Sequence, residues 1–448
     1  MSKSIIDGFR SELESVRGKI QASQMNALRD ILPDEQIHSA CRDAGHEFRS
    51  RLLTPVVTVF HMIAAALWPE NSFRSAWQSS GAPRVSSGSL ADARARLPLG
   101  VMAALFDKVT AAAQALCEPL VRWRGHRVVN VDGFCSSMED NPELHEAFGT
   151  SNGKHGVARY PLARVVVAAF MHTMVAVSYA VGRYRDSEQA LMRQVLPKLR
   201  AGDLIVADRH FAGANLYAEY LAGGQEFITR KHQRLKVGRL KKLVKHDRGD
   251  FVTELRVLPR HRRADPSLPR TVRVRMIRVA ATIRGKKTMI WLVTSLLDAE
   301  KYPADEIARL YAARWKVETL IRELKVACGA DVLRSKKPDG VRKELAARMM
   351  AMNMVRILML EAALAHGEEP SALSFSNAMR LVTATSQKMS EAPVWRLRGL
   401  YEEMLAGIAA EKVPKRPERN EPRAIAREKK HYPRLSIKRA EWRRSHAS

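Results

Sequence analysis

The stretch "RVVNVDGF", residues 127–134, gathers Val128, Val129 and Val131 around Asn130 and delivers Asp132 just ahead of a glycine. A short run of β-branched residues reads as a strand, and apolar side chains at adjacent positions read as a strand covered on both faces. The pattern returns in "DLIVADRHF", residues 203–211, whose apolar run ends on Asp208. Between the two, "RVVVAAFMH" (164–172) and "MVAVSYAVG" (174–182) predict further strands, and "DSEQALMRQVLPKL" (186–199) predicts a helix capped by Asp186 or Ser187. Beyond them, "AGANLYAEYLAGG" (212–224) reads as a helix stopped by glycines and "EFITRK" (226–231) as a fifth strand. Three strands on short links, then strand and helix in alternation, describe a mixed sheet flanked by helices, an α/β fold. Ligands of open α/β sheets bind at the carboxyl ends of strands, so Asp132 and Asp208 converge there if their strands are neighbours. Either acid alone says little, because Asp is also a common turn former.

Outward from this core the chain changes texture. Residues 1–124 read as helical, with "MSKSIIDGFRSELESVRGKI" an amphipathic helix rather than a targeting segment, and "LLTPVVTVFHMIAAALW" (52–68), which contains Pro55 and His61 and falls short of a comfortable membrane span, a buried helix. A glycine between two short helical patterns in "PDEQIHSACRDAGHEFRSR" (33–51) permits a helix-turn-helix, though a plain helical hairpin is the commoner outcome. Between residues 232 and 300, "DFVTELRVLP", "TVRVRMIRVAATI" and "KTMIWLVTSLL" predict a β-rich insertion; alternation turns Val272, Val274, Met276 and Val279 inward and Arg273 and Arg275 outward, with Arg278 flanking. Glu188 and Asp140 read as structural acids, Glu188 in a helix's first turn and Asp140 in a loop.

The 448 residues carry 75 Lys and Arg against 47 Asp and Glu, a formal charge of +28 with a pI near 10.3. A surplus of that size calls for a polyanion, and nucleic acid is the one a basic soluble protein commonly meets. Cysteines 41, 117, 135 and 328 stand far apart without any Cys-x-x-Cys pair, which excludes a zinc module or a disulfide framework and fits a reducing cytoplasm.

Against that charge, "YAARWKVETLIRELK" (311–325) sets Glu318 four residues from both Arg314 and Arg322 on a helix opened by Pro303, Asp305 and Glu306 and closed by Gly329. At 100° per residue, Tyr311, Arg314, Glu318 and Lys325 fall within about 60° of one another, beside an apolar arc of Leu310, Val317, Leu320, Ile321 and Leu324. Taken alone, the stripe is consistent with surface ion pairs worth roughly 0.3–0.5 kcal/mol each. With Asp132 and Asp208 it supplies a third carboxylate. Three carboxylates suit two hard cations about 3.5–4 Å apart that share phosphate and water, while neighbouring cationic side chains hold the phosphates.

The order and spacing Tyr311-(2)-Arg314-(3)-Glu318-(6)-Lys325 resemble the Y-(2)-R-(3)-E-(6)-K signature of IS4-family insertion-sequence transposases. "VDGFCSSMEDNPELHEAFG" (131–149), "AGDLIVADRHF" (201–211) and "LVTSLLDAEKYPADEIARLYAARWKVE" (292–318) are similar to that family's three acid-bearing regions, and "SSGSLADARARLP" (86–98) is loosely so; Phe134 departs from the small hydroxylic residue usual after Asp-Gly. The resemblance implies an RNase H-like core, with Asp132, Asp208 and Glu318 as the metal-binding triad, and Tyr311, Arg314 and Lys325 on the phosphates of the terminal strand, joined by the neighbouring cation Arg322. It also implies Trp291 as a platform for a flipped base, where a tryptophan in a strand is otherwise a core residue, two Mg²⁺ ions with Mn²⁺ as a substitute, and a homodimer synapsing double-stranded terminal inverted repeats with target DNA. No membrane partner is expected, and the expected location is the bacterial-type cytoplasm at the nucleoid. The expected organisation is an end-binding helical region (1–124), a core in two parts (125–231 and 301–365) around the basic insertion (232–300), C-terminal helices (366–411) and a basic arm (412–448). A nuclease or junction resolvase with the same triad, or a catalytically idle DNA-binding descendant, is the alternative.

Overall fold

A computed structural model describes residues 26–48, 52–78, 85–118, 120–153, 156–157, 160–283, 286–413 and 444. The expected N-terminal amphipathic helix and nearly all of the basic arm lie outside these residues. The strands are β1 (His126–Ser137), β2 (Leu162–Phe170), β3 (Ala176–Arg183), β4 (Asp203–Ala207), β5 (Glu226–Arg230), β6 (Val244–Asp247), β7 (Asp250–Arg256), β8 (Thr271–Ile283) and β9 (Lys286–Thr294). Their spatial order is β3-β2-β1-β4-β5-β9-β8-β7-β6, with the two-residue strand Arg122–Trp123 also paired to β1. β1 is antiparallel to β2 and β2 to β3, whereas β1, β4 and β5 run parallel. That is the RNase H-like arrangement, and the remaining strands extend the same sheet because β9 pairs antiparallel with the free side of β5. The valine-rich run of β1 sits at the centre, with Val128, Val129 and Val131 fully buried.

Two details differ from the sequence expectation. β1 does not stop at Asp132; its parallel ladder with β4 ends at Val131 and Ala207, while its antiparallel ladder with β2 continues to Ser137. Asp132 thus lies where one partner strand ends, not where its own does. Arg275 is the second: it is 1% exposed rather than outward-facing. Its Nε donates to Asp250 Oδ1 at 2.7 Å and its Nη1 to the carbonyl of Tyr302 at 2.7 Å. The alternation fails because helix α6 (Ala304–Ala312) covers the second face of β8, leaving Ile277 buried there as well. Val272, Val274 and Met276 are buried and Val279 is half-buried, as expected.

Among the described residues of the 33–51 segment, α1 (Asp34–Asp43) is the one helix; the chain turns at Gly45 (φ +62°), and the next described helix is α2 (Pro55–Leu67). Thr54 caps α2, accepting from Val57 N, Pro55 takes its first turn, and every residue but Val57 is buried. A helix enclosed on all sides cannot enter a DNA groove, so the helix-turn-helix option is excluded for this pair. α3 (Leu99–Cys117) and α8 (Pro338–His366) are long and apolar enough to cross a membrane by length and composition. α8 is instead the molecule's spine: Lys343 Nζ donates to the carbonyls of Arg94 and Ala95, Arg348 pairs with Glu344, and Asn353 bonds Thr110 of α3 and the backbone of Ala176 in β3. Charged and amide groups satisfied inside protein mark a core helix.

The helix expected from Pro303 to Gly329 is present but not uniform. After α6 come a 3₁₀ turn (Ala313–Trp315), α7 (Lys316–Arg322) and a π segment (Glu323–Ala327). Gly329 ends it at φ +70°, where a Cβ would lie 2.7 Å from both Pro69 Cβ and Arg348 Nη1. No other residue fits that corner. Leu310, Val317, Leu320 and Leu324 are buried and Ile321 packs at the core's margin, so the predicted apolar arc is the face laid on the sheet.

Candidate active site

The ladders Val131–Ala207, Ala207–Thr229 and Thr229–Val293 run straight across four strands. One residue on, Asp132, Asp208, Arg230 and Leu292 therefore continue the same row at one edge of the sheet. At roughly 4.8 Å per strand, Asp132 and Asp208 are side by side and Leu292 is about 14 Å from Asp132. The two aspartates converge as their strand positions predicted.

Glu318 reaches this edge from α7, which packs over β1. The link is Arg314: its Nη1 donates to Asp132 Oδ2 at 3.3 Å and its Nη2 to Glu318 Oε1 at 3.0 Å. Burial works against the Arg314 charge, but Tyr311, Asp132, Asp208 and Glu318 together outweigh it and raise its pKa. Burial likewise raises the Asp132 pKa; the Gly133 N–H, 2.8 Å from Oδ1, and Arg314 pull it back, while Glu188 and Glu318 push it further up. The Tyr311 phenol is pushed up to about 12, chiefly by burial, so it stays neutral at any working pH.

The other expected residues are distributed as follows. Lys325 pairs with Asp331 at 2.8 Å, and its field reaches Cys135 on β1. Arg322 is exposed and has no ion-pair partner among the described residues. Trp291, one residue past Leu292 within β9 and paired with Arg278 of β8, is half-buried with its ring edge-on to Phe251 at 5.8 Å. Trp315, next to Arg314 in the chain, is 59% exposed. One residue that the sequence pattern does not place in the site stands close to Asp132. Glu188, read as a helix-opening acid, turns its carboxylate toward Gly133. Nothing in the one-dimensional pattern of "RDSEQAL" distinguishes such a residue from an ordinary first-turn acid.

Three carboxylates are the hard oxygen donors that divalent cations select, and a guanidinium already lies between two of them, which shows that the place favours positive charge. Among the described residues no three Asp, Glu, His or Cys are grouped closely enough to hold an ion. Glu318, at 61% side-chain exposure, has the freedom to swing inward once Arg314 lets go. The donor set fits a metal in kind: three carboxylates are oxygen donors of the sort that hard divalent cations take.

The chain is similar to known transposases. The transposase DDE domain model matches residues 123–354, and the insertion element 4 transposase N-terminal model matches residues 22–107. Transposase InsG for insertion sequence element IS4, from Escherichia coli (strain K12), is 28% identical over 423 residues, covering 91% of this chain and 93% of that protein. Among solved structures, a cryo-EM structure of the piggyBac transposase synaptic complex with hairpin DNA matches with a TM-score of 0.44 at 10% identity, covering 88% of this chain and 86% of that one. The chain belongs to the DDE transposase family, within its IS4 group, and is a DNA transposase, an enzyme of metal-dependent DNA cleavage and strand transfer.

Proposed function

We propose that Asp132, Asp208 and Glu318 are the acids of this transposase's phosphoryl-transfer centre and that the metal is Mg²⁺, two ions with Mn²⁺ as a substitute. What carries the assignment is the Arg314 bridge, which joins Asp132 to Glu318 across the sheet edge where Asp208 also sits. When bound, the ions supply an activated water or 3′-hydroxyl and neutralise the leaving oxygen. The chain's own residues do the rest. Asp132 and Asp208 fix the reaction point on the rigid centre of the sheet. Arg314, Arg322 and Lys325 take the phosphates of the terminal strand, Arg314 exchanging its carboxylate partners for phosphate oxygens and thereby releasing Glu318. Tyr311, neutral throughout, donates a hydrogen bond without adding charge. Trp291 offers a ring for a displaced terminal base, its half-buried position holding the ring rigid while leaving part of its face open.

The substrate in this reading is double-stranded DNA carrying the terminal inverted repeats of the element, then the target duplex, handled by a homodimer. The helices before residue 124 are assigned to end recognition and the helices from Phe375 to Ala410 to the dimer contact, where Trp395 is 80% exposed. Metal ligands act in the chemical step, while affinity comes largely from phosphate contacts. Asp132→Asn, Asp208→Asn and Glu318→Gln are therefore expected to lose cleavage and joining of an inverted-repeat duplex while shifting that duplex in a gel as the wild type does. Cleavage retained by any of the three removes that residue from the centre.

A further inference from the structure

Gly133 follows Asp132, and its missing side chain is filled from above. A Cβ built there would meet Glu188 Oε1 at 2.8 Å, with Glu188 Cδ and Cγ at 3.2 and 3.3 Å. Glu188 opens the helix α4 (Glu188–Val195), capped by Ser187, but it does not point into solvent beyond the helix end; its side chain is 22% exposed and lies over the strand. A first-turn acid kept only for the helix dipole has no need to crowd a central strand.

Its partners hold it loosely and from both sides. Arg164 Nη1 of β2 is 3.7 Å from Oε1, and His210 Nδ1, two residues past Asp208, is 3.9 Å from Oε2. Both distances exceed a hydrogen bond. Arg164 is committed elsewhere, its Nε donating to the Tyr184 carbonyl at 3.0 Å. Among the described residues none donates a hydrogen bond to the Glu188 carboxylate, so its oxygens retain their accepting capacity. Its charge acts on Asp132 together with that of Glu318.

We propose that Glu188 is a positioning residue of the catalytic centre, a fourth carboxylate that holds the hydration shell of the divalent cation at Asp132. This rests on the assignment of Asp132 as a metal-binding acid. Outer groups that orient a metal's water or ligands typically change affinity roughly 10- to 100-fold when removed. Glu188→Gln keeps the shape and removes the charge.

The probe is Mn²⁺, titrated into the full-length protein with and without bound inverted-repeat duplex, the duplex alone serving as the blank, and followed by the electron paramagnetic resonance signal of the free ion. Glu188→Gln is expected to bind Mn²⁺ about tenfold more weakly and to need a correspondingly higher Mg²⁺ concentration for half-maximal cleavage, with the saturated rate nearly unchanged. Glu188→Asp, which keeps the charge, recovers most of the affinity. Wild-type Mn²⁺ affinity in Glu188→Gln overturns the inference, as does a Glu188→Asp variant as weak as Glu188→Gln, which would mark the effect as structural. Asp132→Asn separates this from the triad assignment: if it loses Mn²⁺ and cleavage while Glu188→Gln is normal, only Glu188 leaves the centre. If Asp132→Asn binds and cleaves normally, the triad assignment itself fails.

Discussion

A guanidinium that donates to Asp132 from one nitrogen and to Glu318 from the other bridges the two acids and offsets the burial and neighbouring negative charge that raise the Asp132 pKa. Lysine cannot do both, because a single ammonium lacks the planar fork that reaches two carboxylates at once. Removing the cation, as in Arg314→Met, takes away a lowering influence on Asp132 and leaves the raising ones, so its pKa moves up. Cleavage needs the ionised carboxylate. The acid limb of the kcat/KM profile, which reports the DNA-free enzyme, should therefore move to higher pH in Arg314→Met; an unmoved limb, or one displaced to lower pH, would mean that Arg314 does not set the charge state of Asp132. At this scale much was legible in the chain. Two aspartates after apolar runs and one glutamate at fixed spacing from Tyr311, Arg314 and Lys325 needed only strand adjacency and helix periodicity to be brought together. Glu188 was not legible, because its significance depends on which way a first-turn side chain leans, and that is decided by the absence of a Cβ at Gly133, fifty-five residues earlier.

Elements were readable where a single face was buried and misread where two were. The apolar arc of α6 and α7 lies on the sheet as periodicity required, and even the 3₁₀ and π segments leave it intact, since overwinding before α7 and underwinding after it offset one another. β6 escaped notice because its four residues are all exposed and mostly polar; as an edge strand it is protected by charge rather than by packing. Arg275 was assigned to solvent because alternation knows nothing of a helix crossing the far face. That helix is α6, and the Arg275 fork ties Asp250 of β7 to the Tyr302 carbonyl just ahead of it. The insertion thus bears on the placement of Tyr311 and Arg314 through a buried ion pair. Removing one partner of such a pair leaves an uncompensated charge, at a cost of roughly 3–5 kcal/mol. Asp250→Asn is expected to lower unfolding stability by about that amount in a urea titration, whereas Asp250→Asn combined with Arg275→Met should recover a substantial part of it. A loss below about 1 kcal/mol in the single variant would show that the pair is not what fastens the two elements.

For the whole molecule the decisive quantity is the charge of +28, which a self-contained enzyme for a small neutral substrate would have no use for. Part of it is spent inside: Lys343, Arg348, Arg356 and Arg275 are buried in ion pairs or on carbonyl groups and offer nothing to DNA. The remainder concentrates in two places. Residues 230–245, "RKHQRLKVGRLKKLVK", line the approach to β6, and residues 414–448 hold twelve Lys or Arg against four Glu. Each duplex phosphate neutralised by such side chains releases condensed counterions, so log affinity falls with log salt at a slope of about −0.9 per phosphate. If the C-terminal segment neutralises phosphates, a chain ending at Val413 should bind an inverted-repeat duplex and a random duplex more weakly by the same factor, with both slopes shallower by about 0.9 for each phosphate left without its cation. Replacing Lys241, Lys242 and Lys245 by Gln should flatten the slopes independently. Base-reading groups carry a specificity ratio rather than a salt slope, so the ratio of the two affinities should survive both changes. A truncation that leaves the slope unaltered would place the C-terminal segment off the DNA, and one that lowers only the inverted-repeat affinity would make it a sequence reader instead.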